Sequence, residues 1–499
     1  MKKLAVALFT LITLSAQAQK NTLLDQSFWQ SKPDVAQVKT EVEKGNNPSQ
    51  LNPSGFDPVV LAINVGAPNE TVKYLLEQPG NNVSKLTHDG RIYIHWAANK
   101  GNVELMEYLL SKGSKANVED NHGMTVLNFA AAGGQSNTQV YDLCLKNGAN
   151  LKKDLNHDGA NALLIAIAND KELKLTDYFV SKGLDLKSTD AAGNNAFSYA
   201  ARGGNIATMK ALLEKGVPAQ DNAFIMASQG SRRGPNSPEV FNYLESLKLK
   251  PTVVNKNGEN ALHAIVRRPR QNELIQYFLS KGVDVNQADE EGNTVFMNAA
   301  ASNRDVAVLE MLAPNVKNIN QANEKGATAL AMAVKGNSPD VVAYLIDKGA
   351  DVNVTDKAGD NLAAYLIQSN AAVGSARGEG GPAKDEFTEK LTILQQKGLN
   401  VKAPQKNGNT LYHLAVAKND LGLMKKLEPL QIDVNAKNKE GITALHKAAM
   451  VSKDDSILKY LLSIGAKKDI ATGFKETAFD LASENESLSK GNISLNFLK

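Results

Sequence analysis

The sequence predicts an all-α solenoid of about 13 helix-turn-helix units, plus or minus one, with degenerate units capping both ends. Three observations predict it. Similar phrases return, mostly every 33 to 36 residues, along most of the chain. Each phrase opens on a glycine and runs into a short, alanine-rich apolar stretch. Each then passes to a second apolar pattern ending in words such as YFLSKGVDVN (277–286) or YLIDKGADVN (344–353). At 499 residues an ordinary globular chain would hold several domains. A repeat array escapes that limit because each unit packs only on its neighbours.

The N-terminus sets the expected compartment. Lys2 and Lys3 precede the apolar run LAVALFTLITL (4–14), and Ala16-Gln17-Ala18 offers the small-x-small pattern of a signal-peptidase site. Residues 1–18 therefore read as a secretory signal, too short to span a bilayer, with Gln19 as the mature start. No Cys follows the run, which argues against a lipoprotein anchor. No later stretch reaches the roughly 18 apolar residues that a membrane helix needs. The expected product is a soluble, periplasmic or secreted protein. The short signal and the lysine-rich, tryptophan-poor composition point to a bacterial source.

Hydrophobic residues make up 42% and charged residues 22%, which argues against wholesale disorder. The net charge of +3 falls further once Lys2 and Lys3 are removed, so overall charge names no partner. Cys144 is the single cysteine, so no internal disulfide can form. It reads as a packed core thiol.

Residues 19–54 read as an N-terminal capping unit, 55–474 as the array, and 475–499 as a C-terminal cap and tail. The clearest copies are EGITALHKAA (440–449), NGENALHAIV (257–266) and KGATALAMAV (325–334). Their anchors are Gly55, Gly90, Gly123, Gly159, Gly193, Gly258, Gly292, Gly326, Gly359, Gly408 and Gly441. Glycine at each anchor permits a positive-φ turn before the first helix. Thr125, Thr294, Thr328, Thr410, Thr443 and Thr477 stand where a hydroxyl can cap that helix. Asn161, Asn195, Asn260 and Asn361 offer the same chemistry in other copies. Alanines such as Ala97, Ala130, Ala299 and Ala448 let neighbouring helices approach closely.

These phrases resemble the ankyrin repeat, whose hallmark is Gly-x-Thr-Pro-Leu-His followed by two alanines. The resemblance covers nearly the whole mature chain. The family's proline is replaced here by Ala, Val or Leu in most copies. Two departures are larger. DNAFIMASQG (221–230) has lost its glycine, and the hairpin before it is shortened. Between Gly359 and Gly408 about 16 residues are inserted, near 369–388, with SARGEGGPAKDEF reading as a loop between the two helices of that repeat.

No GxSxG, HExxH, Walker loop or helix-opening GxGxxG is present, and Cys/His metal spacing is absent. The reading is therefore a non-enzyme with no cofactor. His95, His263, His413 and His446 hold the family's motif position and are expected to hydrogen-bond between repeats. His88, His122 and His157 fall at three successive hairpin tips. Packed helices are about 10 Å apart, whereas zinc ligands lie about 2 Å from the metal, so these tips are expected not to share one ion.

The arginines give the sharpest binding signal. Nine arginines stand against 47 lysines. Seven fall at or after the first helix of repeats five to eight: Arg202, Arg232, Arg233, Arg267, Arg268, Arg270 and Arg304. Stacking would line them along one edge, where guanidinium groups can grip carboxylates or phosphates bidentately. The family's usual partner face comprises the hairpin tips and the exposed side of the first helix. Carried over by position, it includes Arg91, Asn99, Lys100, Met124, Glu259, Asn293, Lys335, Asn409, Lys418, Ile442 and Met450.

The expected function is protein–protein interaction through the concave face and hairpin tips, by a monomeric scaffold whose partner has an acidic surface. Two alternatives stand beside it. One is an anionic polymer, envelope glycan phosphate or nucleic acid, bound along the arginine strip; near-neutral charge and sparse aromatics count against nucleic acid. The other is a host-directed secreted effector.

Overall fold

The computed structural model describes residues 21–231, 234–369, 385–491 and 493–499. Residues 1–18, read from sequence as a secretory signal, most of the 369–388 insertion, Arg232 and Arg233 lie outside them. The chain divides into two compact units, 1–220 and 221–499. The division falls at the hairpin that has lost its glycine, within the stretch read from sequence as one array.

Helices come in pairs. In the first unit these are α1 (Gln26–Gln30) with α2 (Val35–Glu43), α3 (Pro58–Val65) with α4 (Asn69–Leu76), α5 (Tyr93–Asn99) with α6 (Val103–Ser111), α7 (Val126–Ala132) with α8 (Thr138–Lys146), α9 (Ala162–Ile167) with α10 (Lys174–Ser181), and α11 (Ala196–Arg202) with α12 (Ile206–Glu214). In the second they are α13 (Ala223–Gln229) with α14 (Pro238–Ser246), α15 (Ala261–Ile265) with α16 (Asn272–Ser280), α17 (Val295–Ser302) with α18 (Val306–Leu312), α19 (Ala329–Gly336) with α20 (Pro339–Asp347), α21 (Leu362–Ser369) with α22 (Glu386–Gln396), α23 (Leu411–Ala417) with α24 (Leu421–Leu427), α25 (Ala444–Val451) with α26 (Ser456–Ser463), and α27 (Ala478–Glu484) with α28 (Glu486–Lys490). Each unit is an α-solenoid. The fourteen described pairs, caps included, fall within the range read from the period.

The chemistry of each element follows its sequence. Thr125, Thr294, Thr328 and Thr443 accept the N–H three residues on, and Asn161 and Asn195 do the same through Oδ1. Such a cap is worth about 1 kcal/mol. First helices pack on first helices, α5 on α7 and α17 on α19 for example. Their alanines make this possible, and Ala97, Ala130, Ala299 and Ala448 are fully buried. The second helices are amphipathic and bury residues such as Phe179, Phe278 and Leu345.

The tip glycine has two reasons to be there. Gly258 has φ 78°, and a Cβ on it would stand 2.5 Å from Ala288 O of the next hairpin. Side chains are excluded because adjacent tips are stitched by backbone bonds: Glu290 N–H to Asn257 O (2.8 Å), Glu324 to Glu291 (2.9 Å), Lys357 to Lys325 (3.0 Å) and Lys439 to Asn407 (3.0 Å). Lys406 N–H donates to Gly359 O (3.1 Å), so the tips remain stitched across the insertion, with the acceptor displaced by one residue onto the glycine itself.

A second ladder runs where first helices end. Asn303 Nδ2 donates to Val266 O and Arg268 O, Asn337 Nδ2 to Ala300 O and Asn303 O, and Asn485 Nδ2 to Ala449 O and Ser452 O. These carbonyls have no partner within their own helix, so the amides complete them. In the repeat carrying the insertion, the ammonium of Lys390 on α22 reaches the corresponding carbonyls, Val334 O and Asn337 O, both at 2.9 Å. The outgoing insertion is fastened by two ion pairs, Glu386 with Arg304 and Asp385 with Lys426 (2.7 Å).

The caps close the stack with larger residues. Trp29 is fully buried and donates to Leu23 O (2.8 Å). At the other end Leu488 and Leu498 are buried. Cys144 is buried, and burial pushes its thiol up to about 12, which suits an inert core residue.

Candidate interaction surface

The motif histidines belong to the frame. Nδ1 of His95, His263, His413 and His446 accepts the N–H of the residue three before it. That leaves Nε2 to donate. His413 bonds Ile442 O (3.0 Å) and His446 bonds Ile470 O (2.9 Å), each in the following repeat. His95 and His263 lie against the backbone of Met124 and Asn293. Burial pushes His95 down to about 4, and it lowers His263, His413 and His446 as well.

Several expected contact residues also turn out to hold the stack. Arg91 is 7% exposed; it pairs with Asp120 (2.8 Å) and Asp89 (3.1 Å), and its guanidinium lies 4.2 Å from the Phe129 ring centroid. Asn293 and Asn409 are buried and accept from Asn323 and Asn438 of the next hairpin. These three are corrected from partner-facing to frame, because the next repeat supplies partners that a single repeat does not reveal. Glu259 is half-buried and accepts from Asn255 (3.0 Å), and Asn99 is half-buried against Phe129 O. Met124 and Ile442 are half-buried, whereas Lys100, Lys335, Lys418 and Met450 are exposed. Lys418 donates to Gln368 O (2.7 Å); burial lowers its ammonium, with Lys335 adding to the effect.

Arg202 ends α11, exposed, in the first unit, and Arg232 and Arg233 lie outside the described residues. In the second unit Arg267 is exposed and donates to Asn298 Oδ1 (2.7 Å). Arg268 is half-buried and donates to Ser231 O (3.0 Å) and Gln229 O (2.7 Å), tying its repeat to the one before. Arg304 is engaged by Glu386. Arg270 is exposed, has φ 61°, and has no hydrogen-bond or ion-pair partner among the described residues. Arg267, Arg268 and Arg304 thus already bond groups within the chain.

Two tip histidines lie against one carboxylate. His88 stacks on Phe56 (4.6 Å between centroids), and its Nδ1 donates to Ser54 O (2.7 Å). Its Nε2 lies 3.2 Å from Asp89 Oδ2, and His122 Nε2 lies 3.4 Å from the same oxygen. Burial alone would raise the Asp89 carboxyl, but His88, Arg91 and His122 outweigh it and hold it low. Among the described residues no three metal-ligating side chains are grouped to hold an ion, and no helix is long and apolar enough to cross a membrane.

One exposed residue was missed from sequence. Phe474 is 88% exposed at the last hairpin. Lys475 (φ 65°) takes the place of the tip glycine there, so Phe474 stands where other copies carry polar or small residues, such as Glu440, Asn407 and Lys325. The aromatic in GFKET was the available signal.

Comparison with known proteins gives a consistent picture. Family models of ankyrin repeats match residues 59–153, 224–321, 262–356 and 440–473, together just over half of the chain. A putative ankyrin repeat protein of fowlpox virus, FPV031, is 31% identical over 157 residues, covering 31% of this chain and 42% of that one. Alpha-latroinsectotoxin-Lt1a of Latrodectus tredecimguttatus is 24% identical over 315 residues, 58% of this chain and 22% of the toxin. Phosphocholine transferase AnkX of Legionella pneumophila is 23% identical over 237 residues, 47% of this chain and 23% of the transferase. In each case the chain spans less than half the relative's length.

Proposed function

The chain belongs to the ankyrin-repeat family, and on that premise we propose that it is an exported, non-catalytic scaffold that holds a protein partner. One observation carries the reading. Polar groups that join neighbouring repeats, such as Arg91 with Asp120, Asn293 with Asn323 and Asn409 with Asn438, bond one another within the frame, while Lys100, Lys335, Lys418, Met450 and Phe474 stand exposed on it. A rigid frame presenting large apolar and cationic side chains can bind a partner without ordering itself first, which lowers the entropic cost of association. Aromatic anchors such as Phe474 contribute a large share of interface energy.

The proposed place of action is the periplasm or the medium, after cleavage behind Ala18. Binding of an anionic polymer is the weaker reading, since Arg268 and Arg304 already serve intramolecular contacts. The test is affinity purification of the mature protein from its own envelope fraction, followed by reconstitution with the purified candidate. A stoichiometric complex weakened about tenfold or more by Phe474→Ala together with Met450→Lys is the expected result. Turnover on a hydrolase or transferase panel, with no partner recovered, would refute the proposal. Mass spectrometry of the N-terminus checks export; a mature chain still beginning at Met1 would refute that part.

A further inference from the structure

In each unit a cleft lies where paired helices are connected. One, of about 380 Å³, lies in the first unit between the starts of α8 and α10. The other, of about 520 Å³, lies in the second unit between α14 and α16. The second forms where Asn236 and Pro238, at the start of α14, face the connection 266–271 that leads into α16; the next connection, 303–305, has three residues. Arg268 ties the 266–271 connection to Gln229 O at the end of α13 and to Ser231 O. Its floor is Phe241, Leu274 and the ring of Tyr277, with Asn242 and Arg270 at the sides and the exposed Glu273 at the rim.

The two clefts share a sequence register. Counting back from YFVSKG (178–183) and YFLSKG (277–282), Lys171 corresponds to Arg270 and Asp170 to Pro269. In the first cleft the carboxylate of Asp170 is used within the chain, accepting from Thr176 N (2.6 Å) and Thr176 Oγ1 (2.8 Å). Nearby Lys174 is neutralised by Glu172. In the second, proline has replaced that acid and the cation has become an arginine with no hydrogen-bond or ion-pair partner among the described residues. The charged residues lining this cleft are Arg270 on the connection and Glu273 on α16, with Arg267 and Arg268 adding positive charge on the same connection.

We propose that the α14–α16 cleft is a docking pocket for an acidic peptide segment of a protein partner. A large apolar side chain of that segment would enter over Phe241, Leu274 and Tyr277, and a neighbouring carboxylate would pair with Arg270. An apolar floor with a few fixed polar groups is the usual make-up of a binding pocket. Arginine's fork suits a carboxylate at its rim. The inference rests on the reading of the chain as a protein-binding scaffold, but it adds a surface distinct from the inner helices and hairpin tips.

The test is selection of phage-displayed random 12-residue peptides on the full chain. Synthetic copies of the winners are then titrated by fluorescence anisotropy. Enrichment of peptides with Asp or Glu within three residues of Phe, Trp, Tyr or Leu is expected. Their affinity should fall at least tenfold on Arg270→Glu and on Asn242→Trp, which fills the mouth from an exposed position. Lys171→Glu, the matched change in the other cleft, should leave affinity unchanged. Circular dichroism confirms that each variant is folded. Basic or uncharged winners, or equal affinity for all the variants, overturn the proposal. Winners that instead lose affinity with Phe474→Ala and Met450→Lys overturn the cleft and leave the scaffold reading standing.

Discussion

Two joints between repeats do the same task with different chemistry. Where α17 meets α19, the neutral amide of Asn337 bridges two carbonyls. Where the insertion separates α21 from α22, a buried ammonium, Lys390, bridges the corresponding pair. Asparagine bonds those carbonyls with little desolvation, whereas lysine must be stripped of water, and burial lowers its ammonium accordingly. The difference teaches that the stack requires donors at fixed points in space and does not require them from a fixed place in sequence. That freedom is what lets a repeat accept a long addition between its helices.

The largest expected effect breaks the unusual joint. Lys390→Met keeps most of the apolar stem but leaves Val334 O and Asn337 O without their shared donor. A loss of about 3 kcal/mol follows from removing charge-assisted bonds and stranding buried acceptors, read by urea unfolding. A loss under about 1 kcal/mol would mean that the ammonium is dispensable. Asn337→Leu breaks the ordinary joint and should cost less, about 2 kcal/mol, because neutral bonds are the weaker kind. An equal or larger loss there would reverse the ranking of the two joints.

Acid sharpens the contrast with a smaller effect. The ordinary repeats contain histidines whose Nδ1 must stay an acceptor, as His95 does for Ile92 N. Its folded pKa of about 4 lies below the unfolded value of 6.5. The unfolded chain therefore binds the proton first as pH falls. The contribution of His95 is fully present above pH 6.5 and is lost progressively down to about pH 4. His95→Gln should cost about 1 kcal/mol at pH 7.5 and flatten the fall in stability between pH 6.5 and 4. An unchanged slope would show that His95 does not carry it. The acceptors of Lys390 are backbone carbonyls, and acid only favours the ammonium form that bonds them, so its joint is expected to be insensitive to acid.

The fold was legible because its period is written in residues with a single physical job. Gly258 could be read as a turn because only glycine combines φ 78° with a carbonyl 2.5 Å from where a Cβ would be. Thr443 and His446 could be read as a cap from their spacing, and they form a capping box. The worn copy at 221–230 was visible, although its coincidence with the boundary between two compact units was not. The interaction surface was less legible because the fate of a charge depends on the next repeat. Arg91 sits at a partner-facing position by analogy, yet Asp120 and Phe129 capture it. Arg268 and Arg270 are two residues apart, and only the backbone geometry separates a tie from a free cation. Lys390 resembled any lysine on an outer helix, since nothing in its neighbours announces two carbonyls arriving from more than fifty residues away.

The bond from Lys406 to Gly359 has a consequence for how such a chain can grow. The hairpins keep count along one margin of the stack, while the helix connections lie along another. Material spliced into a connection therefore leaves the count undisturbed, and closing the longer excursion costs only about 0.6 kcal/mol for each doubling of its length. New chemistry can be acquired at that margin as an appendage, inherited whole or discarded whole, with the neighbouring repeats holding station.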